Sequence, residues 1–143
     1  MGKLRLRVRL DYVGNGKKKA LFGGKTLEQS AEDTRQHKAS MLRNVPIQGI
    51  SIEDIDMSQD IYSVYDEVNG HEIAYAPVII TFNADSMEHV IKFTAKEELM
   101  VVQVLDPEEI TLSSLEIERL LVTMSEEMVD YKRFLERKVN NWR

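Results

Sequence analysis

Lys3, Arg5, Arg7 and Arg9 place a basic side chain at every second position near the start of the chain. In an extended strand alternate residues share one face, about 6.8 Å apart, or two strand rises. Cationic groups at that interval can track a phosphate backbone or an acidic protein surface. Lys17, Lys18 and Lys19 prolong the positive charge beyond a Gly14-Asn15-Gly16 turn. Residues 1–44 hold eleven Lys and Arg against four acids, and the remaining residues hold eight bases against twenty acids, giving a formal net charge of −5. One reading is therefore a polyanion or nucleic-acid site built from Lys3, Arg5, Arg7, Arg9 and Lys17–Lys19, with an acidic protein as another partner of the same chemistry. Single-strand binders add stacking aromatics to such a groove. Here Tyr12 and Phe22 are the nearest aromatics, and alternation turns Tyr12 to the opposite face. The competing reading is structural: the arginines pair with acids of the same chain, such as Glu53–Asp56 or Asp66-Glu67.

Other chemical patterns are incomplete. Gly24-Lys25-Thr26 before a helix suggests a phosphate-binding loop, but the glycine required five residues before Gly24 is Lys19. His37, His71 and His89 have no ligand spacing. Asp54, Asp56 and Asp60 begin like a calcium loop, yet Gln59 and Tyr65 stand where its glycine and closing glutamate belong. No serine sits in a nucleophile elbow. With no motif for catalysis, metal or cofactor, the chain reads as non-enzymatic and cofactor-free.

The elements that must carry these residues follow from periodicity. Leu4, Leu6, Val8, Leu10 and Tyr12 alternate with the basic residues, which predicts a half-buried first strand. Ala20-Leu21-Phe22 is a short return strand. Thr26 with Gln29 forms a capping box for a helix to about Arg43, whose apolar stripe is thin and predicts light packing on the surface. From Ile47 to Leu105 the pattern is a meander. A bulge or turn near Glu53-Asp54 reconciles Ile50/Ile52 with Ile55/Met57, and Asn69-Gly70 marks a hairpin. Pro77 suggests an edge or irregularity. Met87 to Thr94 alternates as a strand, with His89 inward, and Leu99 to Leu105 reads as a strand covered on both faces.

Ser113 and Glu116 cap a long final helix, about 113–140. Its stripe runs through Ile117, Leu121, Met124, Met128, Tyr131 and Leu135, with acids at its start and bases at its end. At 1.5 Å per residue it spans roughly 42 Å, longer than the roughly 37 Å width of a compact domain of this length. The overhanging Met128, Tyr131, Phe134, Leu135 and Trp142 then need a partner, most economically the same helix of a second copy.

These readings combine into one α+β domain over residues 1–143: a curved, mainly antiparallel sheet of six or seven strands, a short early helix and a long C-terminal helix packed on one face. The element order resembles the helix-grip folds, which implies an apolar cavity between sheet and long helix. The chain has no cysteine and no apolar run of membrane-spanning length, so the expectation is a soluble, cytoplasmic protein without membrane contact. Its expected role is a non-catalytic, self-associating interaction module of bacterial style, forming a homo-oligomer through the last helix. The alternatives are the polyanion site and a carrier of small apolar ligands.

Overall fold

A computed structural model describes residues 3–14 and 26–141. The return strand expected at 20–22, Lys17–Lys19 and Trp142 lie outside the described residues. The elements are β1 (Leu4–Val13), α1 (Leu27–Asn44), β2 (Ile50–Asp56), β3 (Tyr62–Asp66), β4 (His71–Ala84), α2 (Met87–Thr94), β5 (Leu99–Asp106) and α3 (Ser114–Asn140). The chain is thus α+β, with five antiparallel strands among the described residues rather than six or seven.

Strand order is β2-β4-β1-β5, and β3 joins the first part of β4. The fourteen-residue β4 is long enough to serve both neighbours: Ile79–Ala84 pair with β2, and His71–Tyr75 pair with β3. Pro77 falls in the gap between them, where no ladder bond is asked of its missing N–H. The β2 ladder shifts register between Ile52 and Asp54, where the sequence suggests a bulge or turn. Gly70, at φ 71°, closes the β3–β4 hairpin by donating its N–H to the Asp66 carbonyl at 2.8 Å.

One sheet face carries the core. Leu6, Val8 and Leu10 of β1 meet Phe82, Ile80 and Val78 of β4 in register, and all are essentially inaccessible. Val90 and Phe93 of α2 close over this layer. Residues 87–94 are helical, not the predicted strand. The N-cap Ser86 accepts from the His89 N–H, Glu88 favours the helix N-terminus, and burial follows the i, i+3 pair Val90/Phe93. His89 therefore leaves the sheet; its Nδ1 lies 2.8 Å from Ser86 Oγ, and its ring sits against Gly49. Gly49 has φ 75°, and an added Cβ would meet that ring at 2.2 Å, so only glycine fits.

Helix α1 begins at the Thr26/Gln29 capping box, but it does not pack lightly. Ala31 and Ala39 are fully buried on its inner face, with Arg35 between them. Small residues bring the helix close to β4, where Ala74 and Ala76 answer them. The thin apolar stripe thus reflects close approach, not weak docking.

The largest departure concerns the C-terminal third. Among the described residues helix α3 packs chiefly on α2, not across the sheet, so it does not take the expected helix-grip position. Among the described residues strand β5 is an edge strand bonded only to β1, and its apolar run is not covered on both faces. Val102 and Val104 share the core face with Val8 and Leu6, yet they are 44% and 47% exposed. The helical layer stops short of them.

Candidate functional site

Arg5, Arg7 and Arg9 lie together on the outer face of β1, as alternation requires. Arg5 Nε donates to Glu53 at 2.7 Å, and that hydrogen bond holds the Glu53 carboxyl below its usual range. Both side chains face water, so the contact contributes little to stability. Arg9 donates from Nε and Nη2 to the two carboxylate oxygens of Asp11, at 2.8 and 3.0 Å. The Tyr62 hydroxyl donates to the same carboxylate. Its ring stacks on Tyr75 at 5.4 Å and lies 6.0 Å from the Arg9 guanidinium. Asp11 is buried, so it is three times bonded in a dry position. Arg7 makes no ion pair among the described residues and is exposed, as is Lys3. The sequence singled out the arginines and Glu53; it gave no sign of the Asp11–Tyr62–Tyr75 cluster, whose members meet only through the β1–β4–β3 pairing.

This arrangement changes proton affinity in a testable direction. Desolvation, reinforced by the hydrogen bond to Asp11, pushes the Tyr62 hydroxyl up to about 12. Burial, with the nearby Glu98 charge, does the same to Tyr12. Both folded-state values exceed the ordinary 10.0, so their contribution to stability is complete below about pH 10 and is lost as pH rises towards 12. The urea midpoint should therefore fall between about pH 10 and 12, and fall less steeply in Tyr62→Phe. Parallel pH profiles for the two proteins would contradict the assignment.

The second feature is α3. Its Ser113/Glu116 capping box forms as the sequence predicts. Thr123 is buried, and Leu120 and Glu127 are half-buried. At 100° per residue these positions centre about 90° away from the stripe Ile117–Leu121–Met124–Met128–Tyr131–Leu135. The stripe itself is open: Leu121 is 63% and Met128 71% exposed. Tyr131 donates its hydroxyl to Glu97 at 2.7 Å, fastening the helix to the α2–β5 loop. Tyr131 and Phe134 stack at 6.2 Å, and the Lys138 ammonium lies 5.6 Å from the Phe134 ring. Phe134, Leu135 and Val139 stay exposed, as do Met100 and Val101 of β5. Sequence reasoning marked the helix but read β5 as covered rather than exposed.

No group of three or more His, Asp or Glu among the described residues is placed to hold a metal ion. No helix of the described residues is long and apolar enough to cross a membrane. No protein-family model, no curated protein and no solved structure matches the chain.

Proposed function

We propose that this protein is a non-catalytic, self-associating interaction module whose α3 pairs antiparallel with α3 of a second copy. The observation that carries the reading is the mismatch on α3: the helix docks on α2 by one face while its continuous apolar stripe points elsewhere. Exposed stripes of this kind mark protein interaction sites.

Charge selects the same helix as its own partner. The first half of α3 carries Glu116, Glu118, Glu126 and Glu127 against Arg119, whereas the second half carries Lys132, Arg133, Arg137 and Lys138 against Asp130 and Glu136. Antiparallel pairing sets acidic halves on basic halves, as in an isologous interface. With the small Ser125 at the crossing, Glu118 of one copy faces Lys132 of the other.

Sedimentation should show a dimer at micromolar concentration. Leu121→Glu with Met128→Glu should give a monomer with an unchanged circular dichroism spectrum, because neither side chain is buried within the monomer. Glu118→Lys alone should weaken the dimer, and adding Lys132→Glu should restore it. An unmodified chain that sediments as a monomer at tens of micromolar sinks the proposal.

A further inference from the structure

A cavity of about 310 Å³ lies between the second half of α1, the end of β1 and the loop from α2 to β5. Its walls are apolar, made by Met41, Leu42, Val45 and Ile47. This volume is at the small end of ligand sites, which run from roughly 300 to 1,000 Å³. Such sites combine apolar walls with a few converging polar groups, and four polar side chains line this one: Tyr12, Lys38, Lys96 and Glu98.

Tyr12 is the most informative of the four. It is only 3% exposed, and its hydroxyl has no hydrogen-bond partner among the described residues. Yet no fully buried side-chain polar atom is left unsatisfied. The hydroxyl must therefore open onto the cavity that its side chain lines, as a donor with nothing to donate to. A ligand acceptor can take that donor in place of water.

Lys96 adds a second unmet demand. Its ammonium lies 4.4 Å from the centre of the Phe93 ring, in a half-buried position. Burial pushes its proton affinity down; Glu98 draws it back, and Lys38 lowers it further. The two lysines repel one another across the cavity, and the single glutamate offsets only one of them. The residues lining the cavity thus carry one positive charge in excess. A cationic ligand would aggravate this, whereas a single negative charge completes it.

We propose that this cavity binds a small amphipathic monocarboxylate. Its head group accepts from the Tyr12 hydroxyl and pairs with Lys96 and Lys38, and its hydrocarbon body lies on Met41, Leu42, Val45 and Ile47. A carboxylate suits the donors better than a phosphate dianion, because Glu98 leaves one charge to neutralise rather than two. The site shares no residue with α3, so it stands independently of dimerisation.

The test is a titration of the isotopically labelled full chain with octanoate, octanol, octylamine and octyl phosphate, followed by amide chemical shifts. Octanoate should bind saturably, with the largest shifts at Tyr12, Met41 and Lys96. Octanol should bind at least about tenfold more weakly, since it forfeits a charge-assisted hydrogen bond. Octylamine should not bind there, and octyl phosphate should bind more weakly than octanoate. Lys38→Met changes an exposed side chain and cannot unfold the protein; it should reduce octanoate affinity several-fold, and Tyr12→Phe should do likewise. Equal affinity for octanol and octanoate, tighter binding of octyl phosphate, shifts centred elsewhere, or no saturable shift at millimolar octanoate would each overturn the proposal.

Discussion

Replacing Phe82 by alanine should destabilise the protein by about 3–5 kcal/mol, the range for deleting a fully buried aromatic side chain. Phe82 is inaccessible at the middle of the sheet, paired in register with Leu6 on one side and Ile52 on the other. Its ring meets Phe93 of α2 edge-on, with centroids 4.7 Å apart. Truncation would remove both the transfer free energy of the ring and the aromatic pair, and it would leave a void bordered by two strands and a helix. Strands cannot collapse into that void without breaking ladder bonds, so little of the loss is recoverable. Phe82→Leu, which keeps most of the volume, should cost much less. Urea unfolding followed by circular dichroism measures both, and an alanine variant within about 1 kcal/mol of the parent would show that the α2–sheet interface is not the core.

Arg35→Met should cost about 3 kcal/mol for a different reason. Arg35 is 5% exposed on the inner face of α1. It donates from Nη1 to the carbonyls of Gln59 at 2.8 Å and Pro77 at 3.2 Å, and from Nε and Nη2 to both oxygens of Glu32. Methionine fills similar space but leaves buried carbonyls without donors. The Pro77 carbonyl lies where β4 is paired with β1 but with neither β2 nor β3, and the Gln59 carbonyl lies between β2 and β3, so no ladder bond replaces the lost donor. Arg35→Lys should recover only part of the loss, because one ammonium cannot serve a carboxylate and two separated carbonyls at once. Acid gives an independent check. The Arg35 guanidinium holds the Glu32 carboxyl below its ordinary 4.5. That contribution is present above about 4.5 and is lost as pH falls through the lower folded-state value. Arg35→Met should therefore flatten the acid limb of the stability profile. A limb as steep as the parent's would remove Glu32 from the account.

The elements with strong local signals were legible in the sequence. Both capping boxes, at Thr26/Gln29 and Ser113/Glu116, formed as written, because the cap is a contact between residues three apart. The first strand's alternation and the β2 bulge are equally local. Residues 87–94 failed because eight residues with Met87, His89, Ile91 and Phe93 fit period two as well as a short helix, and Ser86 as an N-cap decided the matter. The packing of α3 failed for another reason: an apolar stripe shows that a face seeks burial, not which surface buries it. The candidate sites were harder still. Arg5 with Glu53 was readable as opposite charge, although β1 and β2 lie on either side of β4. Asp11 with Tyr62, and Tyr12 with Lys96, meet across separations that no local pattern encodes.

The place of β1 in the sheet has a consequence for how the chain reaches its native state. It lies between β4 and β5, with partners at residues 75–84 and 99–106. Its strand contacts are therefore of long sequence separation, and each ladder must wait for its own long loop to close. A growing polypeptide exposes Leu4, Leu6, Val8 and Leu10 well before β4 and β5 have been synthesised. Until then the strand is an amphipathic template without a mate, and the arginines on its other face act as gatekeepers that keep it from pairing with another chain.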